Sequence, residues 1–322
     1  MKKEEKTLFD EYLSKSNLVL TNSQTNKKEV SAATALDLQE SLTPKLDAQP
    51  LRLYRQRTKK LKVITPLEAL IETLANSSLN KFDFEQKCAQ IKELRELQEA
   101  VELGFCKNEF WQMLGLNLSF SEGKVSLQTR HTPISEQTFC ITDIETTGGK
   151  EHGQIIEIGA VKVRGGVVCG EFKSLIYAPE VPQVITNLTG IDADLLKNAP
   201  SLRSVLSDFR TFLGDSIFVA HNVGFDYSFV SQSLDRCGFG KLFNRKLCTV
   251  NLARRTLVSP RYGLDALKEL LDIHNRHHRA FSDAVAAREI LRVCLGKVPD
   301  EVKTSEELIN FSLNAPTLRG EG

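Results

Sequence analysis

The sequence predicts a mixed α/β domain over residues 135–298, preceded at residues 63–132 by a small, mostly helical domain with a β-hairpin. From residue 138 onward, short apolar runs alternate with segments of three- and four-residue apolar spacing, which is typical of strands alternating with helices. The pair Gly165-Gly166 joins two apolar runs and suits a tight hairpin turn, so the sheet should begin antiparallel. A length of 322 residues also exceeds the size at which single hydrophobic cores usually stop growing.

Residues 1–62 are predicted to form a largely disordered, basic arm. They are rich in Ser, Thr, Asn, Gln and Lys, and they carry 13 Lys and Arg against 8 Asp and Glu. Six of these basic residues lie between Arg52 and Lys62, where no acidic residue occurs. Such a run can bind nucleic acid through phosphates, although charge alone favours a solvated linker.

The helical domain should begin at Thr65-Pro66-Leu67-Glu68, which has the spacing of a capping box with proline in the first turn. This helix should extend to about Asn76. Apolar residues recur every three or four positions between Phe84 and Val101, which predicts one amphipathic helix that Gly104 ends. A short helix should follow from Asn108.

Alternating apolar residues from Leu116 to Leu127, interrupted by Ser121-Glu122-Gly123-Lys124, predict a β-hairpin after these helices. Helices followed by a hairpin resemble a winged helix in element order. The alternative is a small helical packing domain, since element order alone does not establish function.

The α/β domain should contain strands at residues 139–141, 155–164, 167–177 and 217–220, and helices at residues 202–212, 225–237, 249–256, 263–271 and 281–294. Residues 299–322 should form a C-terminal tail with one short helix. Thr304 and Glu307 have the spacing of a second capping box at the start of that helix.

The composition indicates a cytoplasmic protein without a membrane segment. Hydrophobic content of 41% and charged content of 26% are ordinary, and no apolar run approaches the length that crosses a bilayer. The charged start Met1–Lys6 has no apolar stretch behind it that could serve as a signal peptide. The seven cysteines have no CxxC or zinc-knuckle spacing, which favours reduced, buried thiols.

Carboxylates at three separate places could converge on a metal. Asp143 and Glu145 lie two apart on a strand and therefore project to the same face. Asp226 lies in the first turn of the helix that follows an apolar strand, where Asn222 could act as the cap. Asp283 begins another helix. Taken singly, each acid could equally face water or complement a helix dipole.

Histidine just before Asp283 adds a group that can titrate near neutrality and accept a proton from water. Both His277 and His278 occupy this segment, and isolated histidines are more often structural. Three or four carboxylates from separate elements are what a Mg²⁺ site would need, because this ion prefers oxygen ligands.

The order and context of these residues resemble the DEDDh 3′–5′ exonucleases over about half the chain. The resemblance includes Asp143-Ile144-Glu145-Thr146-Thr147-Gly148, Ile185–Ile191, Ala220–Asp226 and His277–Ala284. It is strongest with the proofreading epsilon subunit of bacterial DNA polymerase III (DnaQ-like) and the PolC exonuclease domain. It implies a ribonuclease-H-like fold with a mixed five-stranded sheet flanked by helices.

The resemblance also implies roles for individual residues. Asp143, Glu145, Asp226 and Asp283 would hold two divalent ions, Mg²⁺ or its substitute Mn²⁺. His278, five residues before the last aspartate, would be the general base, in preference to His277. Substrate contacts would come from Thr146, Thr147, Leu188, Thr189, His221, Asn222 and Phe225, although Phe225 could instead be a core residue.

The implied reaction removes nucleoside 5′-monophosphates from single-stranded or mismatched DNA 3′ ends. One rival is an RNA 3′ exonuclease of the oligoribonuclease or ribonuclease T kind, which shares the same five catalytic residues. Another is an interaction subunit of a replication assembly. Partners would be the 3′ end and a DNA polymerase catalytic subunit, and Gln49–Tyr54 loosely resembles a sliding-clamp-binding peptide, a pattern that also arises by chance.

Overall fold

The structure, a computed structural model, describes residues 65–274 and 278–318. The predicted arm at residues 1–62, with its basic run and the segment Gln49–Tyr54, lies outside the described residues. So does His277.

A mixed five-stranded sheet forms the centre of the α/β domain, as the family resemblance implies. Its strands are β4 Thr138–Thr146, β5 Ile155–Arg164, β6 Val167–Leu175, β7 Ile217–Ala220 and β8 Lys246–Cys248. They lie in the order β6-β5-β4-β7-β8. Neighbouring strands are antiparallel from β6 to β4 and parallel from β4 to β8. The hairpin at Gly165-Gly166 is confirmed, because both glycines adopt the positive φ that such a turn requires.

Eight helices of the described residues follow or flank these strands. They are α5 Gln183–Thr189, α6 Ala193–Leu196, α7 Leu202–Leu213, α8 Gly224–Arg236, α9 Thr249–Thr256, α10 Leu264–Leu270, α11 Ala280–Leu295 and α12 Ser305–Asn314. Most begin and end within two residues of the predicted bounds. Helices α5 and α6 and strand β8 were not predicted, because each is too short to show a period. The second capping box is confirmed at Thr304 and Glu307.

Apolar residues cover both faces of the sheet. On one face, Ile141 and Val219 pack with α9, α11 and α12, and on the other Cys140 and Phe218 pack with α7 and α8. Since successive strand residues point to opposite faces, these adjacent pairs explain why β4 and β7 read as continuous apolar runs.

The helical domain contains α1 Pro66–Asn76, α2 Lys81–Gln90, α3 Lys92–Val101 and α4 Asn108–Gln112, with strands β1 Leu79–Asn80, β2 Leu118–Ser121 and β3 Lys124–Leu127. The predicted capping box at Thr65 and Glu68 and the predicted hairpin are confirmed. Strand β1, which was not predicted, pairs with β3 in a sheet of order β1-β3-β2. The winged-helix-like interpretation was based on helices followed by a hairpin, and the described domain has this order.

The single helix predicted over Phe84–Val101 is wrong, because the structure has two helices there. Ile91 is buried in an extended conformation between them, so its burial interrupts the helix without disturbing the apolar spacing. The end of α3 also differs from the prediction. Glu102, rather than Gly104, adopts the left-handed conformation that closes the helix.

Polar contacts join the described parts of the helical and α/β domains, which belong to one compact unit. The guanidinium of Arg245, at the start of β8, pairs with Glu72 of α1 at 2.6 Å and with Glu306 of α12. Glu306 also accepts a hydrogen bond from Thr129 at 2.9 Å. One arginine therefore connects three segments that are far apart in sequence.

Close backbone packing continues this interface. A side chain at Gly115 would meet the amide of Asn244, with a Cβ to Oδ1 distance of 2.1 Å. Asn244 itself is buried and donates to the carbonyls of Gly214 and Ser216 at 2.8 and 3.0 Å. The helical domain therefore lies against the segments that lead into β7 and β8. Among the described helices, none combines the length and the apolar character that crossing a membrane requires.

We expect Arg245→Ala to lower the free energy of unfolding by about 3 kcal/mol, because it leaves Glu72 and Glu306 without their buried cation. The matched control is Arg292→Ala. Arg292 also forms an ion pair, with Glu289, but its side chain is 67% exposed, whereas that of Arg245 is 13% exposed. That change should cost about 0.5 kcal/mol or less. Urea unfolding followed by circular dichroism measures both, and equal losses would contradict the role given to Arg245.

Candidate metal and catalytic site

Three carboxylates converge at the carboxyl end of β4. One oxygen each from Asp143, Glu145 and Asp283 lies within 4.8 Å of the others. Asp143 and Glu145 are on the same face of β4, and Asp283 comes from the first turn of α11. The sequence therefore identified three acids that the fold brings together.

A glycine allows α11 to approach these strands. Gly159 of β5 is the cross-strand partner of Asp143. A Cβ at Gly159 would lie 2.0 Å from the backbone nitrogen of Phe281, closer than atoms of a packed protein can come. Glycine at this position thus lets the start of α11 rest on the sheet beside Asp143, which brings Asp283 within reach.

The buried acid Glu157 fixes the same helix start. Glu157 lies opposite Glu145 and accepts hydrogen bonds from the backbone nitrogen of Ala280 at 3.0 Å and from Arg279 Nη2 at 2.7 Å. A carboxylate at a helix N-terminus is favourable, and the arginine neutralises its charge. Sequence reasoning missed Glu157 and Gly159. The signal was present, since a lone acid in the apolar run Ile155–Ile158 must find a partner if the strand is buried.

Asp226 lies beside this group in the first turn of α8 and is buried. It is not one of the three mutually close acids, but its charge contributes to raising the pKa of Asp143. The backbone N–H of Ile144 stabilises its charged form. The predicted side-chain cap by Asn222 is wrong. Val223 is the N-cap without a side-chain hydrogen bond, and Asn222 adopts a left-handed backbone (φ 71°).

His278 lies on the segment leading into α11 and is half-buried. Its backbone N–H donates to Asp283 Oδ2 at 3.1 Å, and its φ of 54° is left-handed. A non-glycine residue in this region costs about 1 kcal/mol or more, so surrounding contacts must hold it. The carboxylate of Asp283 is one such contact, and it places the two residues side by side.

The remaining predicted site residues differ in what they expose. Four polar residues form hydrogen bonds within the protein through their side chains. Thr146 donates to the carbonyl of Gly148, Thr147 accepts from the backbone N–H of Gln154, and Thr189 donates to the carbonyl of Ile185. The ring of His221 bonds to the hydroxyl of Thr249 and to the carbonyl of Tyr262. Burial lowers the pKa of His221 to about 4, so its ring is neutral. By contrast, the side chains of Leu188 and Phe225 are 52% and 37% exposed.

Leu188 and Thr189 belong to α5 and not to a loop. This helix ends at Gly190, which has the left-handed backbone of a C-cap (φ 72°). Thr189 is buried while Leu188 faces solvent. The substrate contacts expected of these side chains stay predictions.

Burial is the main cause of the raised pKa values in the site, and repulsion between neighbouring acids adds to it for Asp143 and Glu145. Burial, followed by the charges of Asp226 and Glu145, raises the pKa of Asp143 well above its ordinary value. Burial and the neighbouring Glu157 raise the pKa of Glu145 to about 7, and burial raises that of Asp226 to about 7. Burial also raises the pKa of Asp283, against the opposing charge of Lys268. Such a group is one that a bound cation would stabilise.

The oxygen chemistry of the group fits a divalent metal ion. Asp283 Oδ1 is buried and accepts no hydrogen bond from any described residue, and Lys268 Nζ lies 3.6 Å from it. A buried carboxylate oxygen with unused acceptor capacity, on a residue that lies close to two further carboxylates, is a suitable ligand for a hard cation. Within the described residues, this is the one group of acids, cysteines or histidines close enough to hold an ion.

Comparison with known proteins adds an independent observation. Residues 140–291 match the model of the exonuclease family RNase_T. A Mycobacterium tuberculosis (strain CDC 1551 / Oshkosh) protein whose name describes a bifunctional exonuclease/endonuclease is 38% identical over 216 residues, 63% of this chain and 34% of that protein. A DNA polymerase III PolC-type protein of Oceanobacillus iheyensis is 38% identical over 182 residues, 55% of this chain and 13% of that protein.

One similar solved structure is of exonuclease X in complex with 5′-overhanging duplex DNA. It is 25% identical with a TM-score of 0.41, covering 54% of this chain and 99% of that one. The chain spans about a third or less of the length of the two curated relatives named above.

We expect a divalent cation to stabilise the protein more at high pH than at low pH. Without a metal, the carboxyls of Glu145 and Asp226 have pKa values of about 7 in the folded protein, above their values in the unfolded chain. Protonation of these groups therefore contributes stability that is fully present below about pH 4 and is lost as the pH rises through about 7. Cation binding displaces those protons. The rise in thermal midpoint on replacing chelator with Mg²⁺ or Mn²⁺ should therefore be larger at about pH 8 than at about pH 5.5.

Glu145→Gln should reduce this cation-dependent rise, whereas Asp235→Asn should not. Asp235 is an exposed acid on α8, the helix that carries Asp226, and so it controls for loss of one negative charge. Equal stabilisation by the cation at both pH values would show that these carboxyls do not bind it.

Proposed function

We propose that this chain is an exonuclease of the DnaQ-like DEDD family and removes nucleotides one at a time from the 3′ end of DNA. The match of residues 140–291 to the exonuclease family RNase_T supports this proposal, as does the similarity to PolC-type proteins. The observation that carries the proposal is the convergence of Asp143, Glu145 and Asp283 within 4.8 Å. Hydrolysis of a phosphodiester requires stabilisation of charge on the attacking and leaving oxygens. The product would be a nucleoside 5′-monophosphate.

Asp143, Glu145 and Asp283 would hold one divalent ion, and Asp143 and Asp226 would hold a second, the latter through water. A pair of such ions supplies charge stabilisation to both the attacking and the leaving oxygen. Mg²⁺ is the proposed ion, with Mn²⁺ as a substitute. The repulsion that raises the pKa values of these carboxyls is relieved when cations replace protons.

His278 is the proposed general base, which would take the proton from the attacking water. Its position supports this role, because its backbone is hydrogen-bonded to the carboxylate of Asp283. The histidine therefore lies next to the carboxylate group. A base must be within hydrogen-bond reach of the proton it removes, directly or through one water.

DNA is the proposed substrate, and proofreading or repair the proposed role. The relatives that match over more than half of this chain include DNA polymerase III PolC-type proteins. An RNA 3′ exonuclease is the rival within the same chemistry. A DNA polymerase catalytic subunit is the proposed partner. A sliding-clamp contact through Gln49–Tyr54 is a weaker suggestion, and intact catalytic acids argue against a purely structural subunit.

We expect the purified chain with Mg²⁺ to shorten single-stranded and 3′-mismatched DNA faster than matched RNA, releasing 5′-monophosphates. Asp143→Ala should abolish shortening, because that acid serves both ions, while binding of the strand persists. Gel electrophoresis of 5′-labelled oligonucleotides with Mg²⁺, Mn²⁺ or chelator measures the shortening, chromatography of the released nucleotides identifies the product, and fluorescence anisotropy measures binding. Asp235→Asn is the charge-matched control that should cleave like the parent. Preferential cleavage of RNA would support the rival, and an inactive folded parent would end the proposal.

His278→Ala should lower kcat by about 10²- to 10⁴-fold, the range typical of a general base, with little change in KM. The matched control is His152→Ala, which removes an exposed histidine from the loop between β4 and β5. The His152 variant should keep the parental kcat at every pH tested. A parental rate across the whole pH range would exclude His278 as the base.

A further inference from the structure

The four carboxylates of the site pose a problem for the proposed substrate, because nucleic acid is itself negatively charged. Cationic side chains nearby must offset this repulsion before a strand can approach. Three of them act on the carboxylates through their charge: Arg279 on Glu145, Lys268 on Asp283 and Lys150 on Asp226.

Two of these cations are used within the protein. Arg279 donates to both oxygens of Glu157, at 2.7 to 3.1 Å. Lys268 is only 3% exposed and lies 3.6 Å from Asp283. The charge of each is therefore paired with a buried carboxylate. Lys150 is half-exposed and is therefore the cation of this set that can meet a ligand.

Lys150 lies on the turn between β4 and β5, and the structure holds it against the start of α8. Its Nζ donates to the carbonyl of Gly224 at 3.1 Å, and its own carbonyl accepts from Arg236 at 3.3 Å. An ammonium group has three N–H donors. In the described part of the chain its side chain makes this one hydrogen bond, which leaves capacity for a phosphate.

An aromatic ring lies beside this ammonium. Lys150 Nζ is 5.5 Å from the ring centroid of Phe225, which is 37% exposed and packs on Phe229 with 5.7 Å between centroids. Phe225 immediately precedes Asp226. A positive charge beside an exposed aromatic ring is the combination that binds single strands, with bases stacked on the ring and phosphates on the cation.

We propose that Lys150 binds a backbone phosphate of a single strand whose base stacks on Phe225. This inference rests on the proposed function, because the strand is the one whose 3′ end reaches the carboxylates. Lys150 would be a substrate-positioning residue, since it does not touch the reacting atoms. It would neutralise one phosphate next to the site without altering the carboxylates that hold the cations.

The test is the salt dependence of binding. All proteins carry Asp143→Ala to prevent cleavage, and fluorescence anisotropy with a labelled oligothymidylate gives Kd between about 50 and 200 mM salt. Loss of one phosphate contact should reduce the slope of log affinity against log salt by about 0.7, the value for single strands. Lys150→Met and Lys150→Gln should both show this reduction and weaker binding at low salt, whereas Lys150→Arg should retain both.

Lys150→Gln separates charge from structure. Glutamine keeps an N–H donor on a side chain one bond shorter than that of lysine and has no positive charge. If Lys150 only anchors the turn, the glutamine variant would bind like the parent, and the inference would be overturned. The matched control is Lys162→Met. Lys162 lies near the far end of β5, and its Nζ is also close to an aromatic ring, 5.0 Å from the ring centroid of Phe212. Its removal should leave the slope unchanged. Phe225→Leu should weaken binding without changing the slope.

A parallel assay with Asp143 intact distinguishes this inference from the proposed function. Shortening of the oligonucleotide with an unchanged slope in Lys150→Gln would remove the role of Lys150 and leave the exonuclease proposal standing. A reduced slope in Lys150→Gln, without any shortening by the parent, would support the role of Lys150 in binding and overturn the exonuclease proposal. A parent that binds no single strand would overturn the inference as well.

Discussion

Four carboxylates that are buried or half-buried beside one another are the constraint around which this domain is organised. Asp143, Glu145, Asp226 and Asp283 all have pKa values raised by burial, and nearby charges add to the effect for Asp143 and Glu145. Such an arrangement costs free energy in the absence of a cation, so other interactions must hold the acids in place. Gly159 and Glu157 do this for Asp283. The glycine removes the atom that would keep α11 away from the sheet, and the glutamate fixes the first residue of that helix.

The same constraint explains how cations are distributed around the site. Arg279 neutralises Glu157, an acid that positions a helix, and Lys268 faces an oxygen of Asp283 from within the core. Both pair with buried carboxylates. Lys150 differs because it lies on a turn and contacts a carbonyl, so its charge is not cancelled by a carboxylate hydrogen bond. The two paired cations thus stabilise the arrangement of the acids, whereas the charge of Lys150 has no such carboxylate partner among the described residues.

Sequence patterns predicted the elements whose physical signal is local. The capping boxes at Thr65 and Thr304, the hairpin at Gly165-Gly166 and the long helices were all predicted from spacing and turn residues, and the structure confirms them. Resemblance to a family identified the acids that converge. The break at Ile91 could not be predicted, because a buried extended residue preserves the apolar spacing on both sides. A local pattern marked Glu157 as an acid that needs a partner, but neither its partners nor the contacts of Lys150 could be predicted, because they are distant in sequence.

The helical domain lies at the edge of the sheet opposite to the carboxylates. Its contacts with the sheet include Asp215, Asn244 and Arg245, which precede β7 and β8 at the amino ends of these parallel strands. The carboxylates lie at the opposite edge, after β4 and after β7, where open α/β sheets usually bind ligands. Strand β7 has four residues, so about 13 Å of strand lies between the two edges. The described part of the helical domain therefore affects the acids through the stability of the strands that carry them.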